Sequence, residues 1–353
     1  MSLPMSPPLS QPIAIVGAGL SGLSCAQALV QAGHHVHLFD KSRGPSGRMS
    51  TRRSEDAQGP WQCDHGAQYF TAREAAFRNE VQRWQAAGAA ALWDARLVSF
   101  DGQSWGTPET PLERFVGTPR MTSPAAWLGQ DLGERVQPQW QTTVQALTRD
   151  DAGWTLSSAE HGPLAPRYRA VLLAMPAPQA EQLLHDVAPA GATVAASARM
   201  RACWAVMVRC AAPVALDWEG AFINAGPLRW VARDRSKPGR TGADTWLLHA
   251  SAEWSEAHVQ DDAATVTAAL LAAFAALGGP DPVQVQATAH RWLYADTEPA
   301  LNLGCWWDAE QQLGLCGDWL NGGKVEGAWL SGRALAQHLA PVAQDGGLTP
   351  RAD

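Results

Sequence analysis

Ile13-Ala14-Ile15-Val16 is followed at once by Gly17-Ala18-Gly19-Leu20-Ser21-Gly22. The first run is short, apolar and β-branched, which is typical of a strand buried on both faces. A helical pattern then runs from about Leu23 to Ala32 and stops at Gly33. His34 to Asp40 has the pattern of a second strand. The order strand, glycine-rich turn, helix and strand predicts a dinucleotide-binding unit.

Each glycine of this turn has a physical role. Gly17 permits the tight turn, Gly19 lets the backbone approach a pyrophosphate, and Gly22 allows the helix to pack closely on the strand. The helix N-terminus supplies N–H donors and a partial positive charge. Asp40 ends the second strand, where a carboxylate accepts hydrogen bonds from an adenosine ribose. The predicted contacts of this unit are Gly17, Ala18, Gly19, Ser21, Gly22, Asp40 and Lys41.

Composition excludes several classes of protein. The 353 residues are 46% hydrophobic and 17% charged, which is ordinary for a globular chain of one large or two interleaved domains. A net charge of -7 argues against nucleic acid as a partner, because phosphate backbones require a basic surface. The six cysteines show neither C-x-x-C pairs nor metal-ligand spacing, so we expect reduced thiols, a cytoplasmic protein and no metal.

No segment has the pattern of a membrane anchor. Residues 1–12 lack the charged and apolar regions of a signal peptide, and we expect residues 1–10 and 343–353 to be disordered tails. The most apolar later stretch, Ala263 to Leu277, is short and follows Asp261 and Asp262. This pattern predicts a buried helix rather than a membrane span.

Two motifs that follow the second strand indicate the cofactor. Lys41 to Arg52 contains Ser46-Gly47-Arg48-Met49. This segment resembles the G-G-R-M segment of the FAD-dependent amine oxidase superfamily, with Ser46 in place of the first glycine. Asp64-His65-Gly66-Ala67-Gln68-Tyr69-Phe70-Thr71 resembles a segment of the renalases, above all the bacterial renalase-like group. The resemblance implies FAD rather than NAD. The contacts it implies are Gly47, Arg48, Met49, Gly66, Ala67, Gln68 and Tyr69.

The C-terminal region resembles the second flavin motif of the same superfamily. Gly317-Asp318-Trp319 follows the apolar run Leu313 to Cys316, and Val325 to Gly332 reads V-E-G-A-W-L-S-G. The resemblance implies that Asp318 contacts the ribityl chain and that the helix at Val325 points its N-terminus at the flavin. A helix N-terminus there favours the negative charge of the reduced ring. The implied contacts are Gly317, Asp318, Val325 and Glu326, together with Val144 and Ala174 in the middle of the chain.

The expected fold is α/β, with a Rossmann-type FAD-binding domain of parallel sheet and β-meander. A smaller substrate domain of mixed antiparallel sheet and helices completes it. Val136 to Thr148 and Gly153 to Ser158 have the pattern of a β-hairpin. We expect the FAD-binding domain to comprise residues 11–75, 133–185 and 286–342, and the substrate domain to comprise 76–132 and 186–285.

The renalase resemblance extends over most of residues 13–340 and implies oxidation of 2- and 6-dihydro-NAD(P) isomers to NAD(P)+. The flavin takes a hydride and passes the electrons to O2 or another acceptor. The pocket candidates are Tyr69, Trp230, His249 and His290; each histidine could equally be a hydrogen-bonded strand residue. No catalytic base is assigned, because hydride transfer needs orientation and a dry pocket.

Several basic and thiol residues have open roles. Lys237 and Lys324 are expected to lie on the surface or to contact a phosphate. Arg233, Arg235, Lys237 and Arg240 could hold substrate phosphates, although a solvated loop is the other interpretation. Cys305 invites comparison with covalent flavin attachment, whereas the renalase resemblance implies non-covalent FAD.

Three functions are consistent with these patterns. The first is the renalase-like oxidation of dihydronicotinamide isomers. The second is an FAD-dependent amine oxidase or a desaturase-type dehydrogenase, and the third is an FAD-binding redox sensor without turnover. Fold alone does not decide among them.

Overall fold

The computed structural model describes residues 11–56, 59–108 and 112–339. Both expected tails, residues 1–10 and 343–353, lie outside the described residues. The strands are β1 (Ile13–Val16), β2 (Val36–Asp40), β3 (Thr51–Asp56), β4 (Gly59–Asp64), β5 (Ala90–Leu92), β6 (Leu97–Phe100), β7 (Trp105–Gly106), β8 (Phe115–Gly117), β9 (Val136–Trp140), β10 (Val144–Asp150), β11 (Gly153–Ser158), β12 (Gly162–Tyr168), β13 (Ala170–Leu173), β14 (Met200–Cys210), β15 (Gly220–Ile223), β16 (Leu228–Arg233), β17 (Asp244–Ala250), β18 (Val285–Thr297), β19 (Trp306–Asp308) and β20 (Leu313–Leu315). The helices are α1 (Leu20–Gln31), α2 (Ala75–Ala86), α3 (Ser123–Asp131), α4 (Ala177–Leu184), α5 (Pro189–Ala196), α6 (Ala252–Ala257), α7 (Ala263–Ala276) and α8 (Val325–Ala336).

The first sheet has six strands in the order β19-β20-β13-β1-β2-β9. Strands β20, β13, β1, β2 and β9 run parallel, and β19 is the antiparallel edge. Ile13 and Ile15 face the core that contains α1, whereas Ala14 and Val16 face the core on the other side. Burial on both faces explains why this strand is apolar without alternation. The predicted α/β fold with a Rossmann-type parallel sheet is confirmed.

The predicted hairpin is wrong at its beginning. Residues 136–148 do not form one strand: β9 joins the Rossmann sheet beside β2, and the chain turns at Gln141, which has a φ of 55°. Strand β10 then starts at Val144 and pairs with β11, which pairs with β12 in a three-stranded meander. The alternation of apolar and polar residues continues across the turn at Gln141. The sequence pattern alone therefore does not reveal that β9 and β10 are separate strands.

The second large sheet has seven strands in the order β18-β14-β17-β16-β15-β6-β7. Its pairs are antiparallel except for β6 with β15. The long strand β18 lies in this sheet and not in the Rossmann sheet. We therefore propose that the last segment of the FAD-binding domain begins after Thr297 rather than at residue 286.

Helix α7 confirms the interpretation of the Ala-rich stretch. Asp262 caps it by accepting a hydrogen bond from the backbone N–H of Thr265, and Val266, Leu270 and Phe274 are buried against the seven-stranded sheet. None of the helices within residues 11–56, 59–108 and 112–339 is both long and apolar enough to cross a membrane.

Helices α1 and α8 pack against each other at very short range and join the two ends of the chain. A Cβ atom at Gly332 would lie 2.0 Å from the backbone oxygen of Ser21 and 2.2 Å from Ser24 Oγ. Ser24 Oγ also donates to the backbone oxygen of Trp329 at 2.8 Å. Only a glycine permits this approach, which holds the C-terminal motif beside the N-terminal turn.

We predict that Gly332→Ala destabilises the protein by about 1–3 kcal/mol or more, because the added methyl group must push α8 away from α1. The matched control is Gly129→Ala in α3, where the nearest heavy atom to a Cβ is 3.7 Å away. That substitution should be neutral or slightly stabilising, since alanine is the better helix former. Urea unfolding of both variants checks this; equal midpoints would contradict the steric argument.

Candidate active site

The glycine-rich turn has two kinds of glycine. A Cβ at Gly17 would lie 2.2 Å from the backbone oxygen of Ala174, and one at Gly22 would lie 1.9 Å from the backbone oxygen of Gly17. Both glycines therefore serve the packing of the protein itself, and Gly17 also has a φ of 109°. A Cβ at Gly19 would meet nothing within 4 Å, and α1 begins without a side-chain cap. Open space before an uncapped helix N-terminus suits a phosphate group.

Asp40 lies beside this turn and braces it. Its Oδ2 accepts a hydrogen bond from the backbone N–H of Ala18 at 2.7 Å, and its Oδ1 accepts one from Ser42 at 2.7 Å. An ionised carboxylate has about four acceptor positions, so two remain for a ribose. The neighbouring Lys41 is exposed, and its contact with a cofactor stays a prediction.

The two predicted flavin motifs meet directly. Arg48 Nη2 donates to Asp318 Oδ1 at 2.5 Å, and Arg48 Nη1 donates to Asp318 Oδ2 at 3.1 Å. Gly66 packs against the backbone of Arg48, where a Cβ would lie 1.9 Å from the carbonyl oxygen. Ala67 donates its N–H to the same oxygen at 2.9 Å. Residues that are far apart in the sequence thus line one region. Because Arg48 and Asp318 pair with each other, either side chain would have to move or share its partner to contact a cofactor.

Other predicted cofactor residues have structural partners. Glu326 Oε1 accepts hydrogen bonds at 2.7 Å from the backbone N–H groups of Arg73 and Glu74, where α2 begins. Val144 and Met49 are buried in the apolar cores. The N-terminus of α8 at Val325 has no side-chain cap, as at α1. Cofactor contacts of Val325, Val144, Met49 and Glu326 stay predictions.

A buried cluster of four charges lies under the loop that carries Gly66. Lys237 Nζ is 3.1 Å from both Asp64 Oδ2 and Asp234 Oδ1, and Arg240 Nη2 is 2.5 Å from Asp64 Oδ2. All four side chains are at most 1% exposed. Gln68 belongs to this cluster, since its Oε1 accepts from Lys237 while its Nε2 donates to the backbone oxygens of Asp64 and Gly66.

The cluster overturns the expectations for Lys237 and Arg240. Lys237 is neither on the surface nor available to a phosphate, and Arg240 is equally buried. Arg233 pairs with Asp244, and Arg235 donates to the backbone oxygen of Gly242. Lys324, by contrast, is exposed, as expected. Lysine and arginine are buried here because two carboxylates accompany them, and one of these comes from a distant part of the chain.

The ionisation of the cluster follows from its geometry. Burial raises the pKa of Asp64, but Lys237 and Arg240 outweigh it and hold that pKa well below its usual range. Burial and the charge of Asp64 raise the pKa of Asp234. Burial lowers the pKa of Lys237, and the two carboxylates more than restore it. Lys237 therefore stays protonated and cannot act as a base.

Three of the four predicted pocket residues lie on one face of the seven-stranded sheet. Trp230 on β16 is opposite His249 on β17, His249 is opposite Ala205 on β14, and Ala205 is opposite His290 on β18. Residues directly opposite in antiparallel strands point to the same face. Phe222 on β15 extends this row beyond Trp230. We call Phe222, Trp230, His249, Ala205 and His290 the substrate row.

The row faces the loop with the flavin motif. His249 Nε2 lies 3.2 Å from the backbone oxygen of His65, and Tyr69 lies 5.6 Å from Trp230 between ring centroids. Two further residues belong here. The ring of His65 lies 4.9 Å from that of His290 and stacks on Trp292 at 5.2 Å. His65 and Trp292 are not among the pocket residues predicted from the sequence. The signal available for Trp292 was its spacing of two residues from His290, because residues two apart on a strand point to the same face.

The imidazoles of this face are held neutral. Burial, followed by the charge of Arg229, lowers the pKa of His249 to about 3. Burial, followed by His290 and Arg52, lowers the pKa of His65 to about 4. Burial and Arg52 also lower the pKa of His290. The carboxylates beside the row are paired, Asp64 within the buried cluster and Asp296 with Arg229. The face therefore carries aromatic rings and neutral imidazoles, with the exposed Arg52 near His65 and His290.

Comparisons with known proteins agree with this architecture. Residues 15–83 match the family model of the NAD(P)-binding Rossmann-like domain. The L-amino acid oxidase of Cerastes cerastes is 36% identical over 72 residues, which are 20% of this chain and 14% of that protein. The L-amino-acid oxidase of Daboia russelii is 52% identical over 42 residues, or 12% of this chain and 8% of that protein. The chain thus spans about a seventh or less of the length of these relatives.

Similarity to solved structures extends over almost the whole chain. Cyclohexylamine oxidase from Brevibacterium oxydans IH-35A has a TM-score of 0.72 at 12% identity and covers 94% of this chain and 99% of its own. Putrescine oxidase bound to putrescine has a TM-score of 0.68 at 13% identity, with the same coverage. At such identity the likeness concerns the fold. The chain therefore has the fold of the flavin-dependent amine oxidases.

We predict a loss of stability in mild acid that depends on the buried histidines. A histidine whose folded pKa is lowered binds fewer protons than in the unfolded chain, so its contribution is complete above about pH 6.5 and decreases as the pH falls. For His249 the loss between pH 7 and pH 5 is about 2 kcal/mol at most. His249→Gln should therefore show a smaller decrease in melting temperature over this range than the unchanged protein.

His185→Gln is the control for that experiment, because the side chain of His185 is 77% exposed. Its melting temperature should follow the pH dependence of the unchanged protein. If the melting temperature of His249→Gln depended on pH in the same way as that of His185→Gln, burial would not be holding His249 neutral.

Proposed function

We propose that this chain is an FAD-dependent oxidoreductase that oxidises the 2- and 6-dihydro isomers of NAD(P) to NAD(P)+. The substrate row carries this proposal. It presents aromatic rings and neutral imidazoles to the Gly66 loop. Such a face suits a planar, uncharged ring, and none of the described residues offers an unpaired carboxylate there to a cationic ammonium group.

The residues around the turn fit FAD. Gly19 leaves open space at an uncapped helix N-terminus, which would receive the pyrophosphate. Asp40 retains acceptor positions for the ribose, and Arg48 with Asp318 would hold the ribityl chain. Gly17, Ala18, Ser21, Gly22, Gly47, Ala174 and Gly317 would shape the rest of this cradle. Non-covalent FAD is part of the proposal because the renalase resemblance implies it.

When bound, FAD supplies a two-electron acceptor that takes a hydride from the substrate. The chain's own residues orient the donor and exclude water. The half-buried Trp292 offers an aromatic surface near which a nicotinamide ring can lie, and His249 and His65 stay neutral beside it. A neutral imidazole suits the formation of a cationic NAD(P)+ ring better than an imidazolium would, since like charges repel. No residue has to act as a base.

The second half of the reaction needs an electron acceptor, for which we propose O2. The balanced reaction is dihydro-NAD(P), O2 and a proton giving NAD(P)+ and hydrogen peroxide. The dihydronicotinamide loses a hydride, and O2 gains two electrons and two protons in total. Another small-molecule acceptor would serve the same step.

Amine oxidation is the second candidate. Its support is the fold shared with cyclohexylamine oxidase and putrescine oxidase, together with Tyr69, Trp93 and Trp230, whose rings lie 5.6–6.3 Å apart. Aromatic rings around a substrate suit the neutral, reactive form of an amine as well as a dihydropyridine ring. A desaturase-type dehydrogenase and a redox sensor without turnover have no separate support from these contacts.

We expect the purified protein to be yellow and to release intact FAD on acid denaturation. Asp40→Ala should weaken FAD binding by about 1.5–3 kcal/mol, because it removes a charge-assisted ribose contact and the bond that holds Ala18 N–H. Fluorescence titration of the apoprotein with FAD measures this. Asp150→Ala, which removes an exposed pair with Arg167, is the control. A colourless protein that FAD cannot reconstitute would exclude the flavin assignment.

We expect 2- or 6-dihydro-NAD(P) to reduce the flavin much faster than ordinary NAD(P)H or a simple amine. The ring isomers place the departing hydride differently, and a displacement of about 1 Å can cost roughly a hundredfold in rate. Anaerobic stopped-flow absorbance measures the reduction. Faster reduction by cyclohexylamine, benzylamine or putrescine would replace this function by the amine oxidase, and no reduction by any donor would favour the sensor.

A further inference from the structure

Beyond Trp230 the substrate row continues into a compact group of aromatic rings. Tyr69, Trp93, Phe222 and Trp230 come from three separate parts of the chain, and we call them the aromatic box. The ring centroids of Tyr69 and Trp230 are 5.6 Å apart, those of Phe222 and Trp230 are 4.7 Å apart, and those of Trp93 and Trp230 are 6.3 Å apart. The box is continuous with the row because Phe222 and Trp230 belong to both.

The box contains a cation that has no acidic partner among the described residues. The guanidinium carbon of Arg114 lies 5.2 Å from the ring centroid of Tyr69 and 5.9 Å from that of Phe222. Arg114 Nη1 donates to the backbone oxygen of Leu112 at 3.1 Å, and Arg114 forms no ion pair with any residue in the described ranges. This arrangement differs from that of Lys237, Arg233 and Arg240, each of which is paired with a carboxylate.

Two buried N–H donors of this group lack acceptors. Trp230 is 5% exposed, and its Nε1 has no hydrogen-bond partner among the described residues. The Nε of Arg114 is buried and equally lacks an acceptor there. Leaving a buried donor unpaired is unfavourable, and more so where the donor is charged. Trp93, by contrast, donates its Nε1 to Ser236 Oγ at 3.1 Å. The two unpaired donors therefore call for an acceptor that the described protein does not supply.

From these contacts we propose that the aromatic box and Arg114 form a subsite for the phosphate of a nicotinamide nucleotide, the end of the substrate remote from the reacting ring. This assignment rests on the proposed function and specifies its substrate: a phosphorylated nucleotide rather than the free base or nucleoside. Arg114 supplies the charge and Trp230 supplies a directed N–H donor. Guanidinium groups suit phosphate because their planar N–H array matches its oxygens.

Arg52 is the competing cation. It is exposed, lies on β3, and its charge acts on His65 and His290 at the opposite end of the row. If the phosphate lay at that end, the substrate would be reversed along the row. Arg52 and Arg114 therefore define two orientations that a pair of variants can separate.

The test is isothermal titration calorimetry of the FAD-loaded protein with nicotinamide mononucleotide and with nicotinamide riboside, which lacks the phosphate. Neither probe can reduce the flavin, so binding is measured without turnover. We expect the mononucleotide to bind at least about tenfold more tightly than the riboside, since a charge-assisted contact is worth that ratio or more. Arg114→Gln should reduce the ratio to below about threefold, and Arg114→Lys should retain only part of it, because lysine keeps the charge but not the planar N–H array.

Two further arginine variants and one tryptophan variant complete the design. Arg96→Gln makes the same change in net charge at a side chain that is 60% exposed, and Arg52→Gln removes the competing cation; both should keep the tenfold ratio. Trp230→Phe keeps an aromatic ring and removes the N–H, so it should lower the ratio by less than Arg114→Gln does. Retained yellow colour and melting temperature identify variants that are folded.

The proposal is overturned if the unchanged protein binds both probes equally, if Arg114→Gln keeps the ratio, or if Arg52→Gln causes the loss instead. Stopped-flow reduction by dihydro isomers of the mononucleotide separates this result from the proposed function. Binding with a phosphate preference but no reduction would retain the subsite and contradict the function. Reduction without a phosphate preference would retain the function and contradict the subsite.

Discussion

The contact between α1 and α8 is the constraint on which the remaining structure depends. Helix α1 follows the glycine turn, and α8 follows the second flavin motif, so their packing decides where the two motifs lie relative to each other. Gly332 permits the approach, and Ser24 secures it with a bond to the backbone of Trp329. Arg48 and Asp318 can then pair across the ends of the chain. The proposed FAD site is therefore built from two halves, one from each motif, and neither half alone would form it.

The substrate row depends on the same constraint through a second set of contacts. The Gly66 loop packs on the backbone of Arg48, and its other side rests on the buried cluster of Asp64, Asp234, Lys237 and Arg240. His249 and Trp292 reach the backbone oxygen of His65 from the sheet at 3.2 and 2.8 Å. The distance between the sheet and the flavin motif is thereby set by two side chains of the sheet that share one main-chain acceptor.

The local parts of this architecture could be predicted from the sequence, because their physical causes are local. Gly17, Gly22 and Asp40 follow from the spacing of one turn, and the cap of α7 follows from Asp262. The buried state of Lys237 could not be predicted, since Asp64 lies far away in the sequence and a basic loop normally suggests solvent. His65 and Trp292 were missed for the same reason: their shared position is decided by the register of β18 on β14. The break at Gln141 needs a positive φ that glutamine does not signal.

The buried cluster also has a consequence for how the chain folds. Asp64 comes from the β3–β4 hairpin in the N-terminal part of the chain, whereas Asp234, Lys237 and Arg240 come from the loop between β16 and β17. With Asp64 absent, two cations would share one carboxylate away from water, and a lone buried charge is costly. The seven-stranded sheet therefore cannot complete its interior before the N-terminal half is in place. The two halves should form a single cooperative unit, and neither fragment expressed separately should attain its native structure.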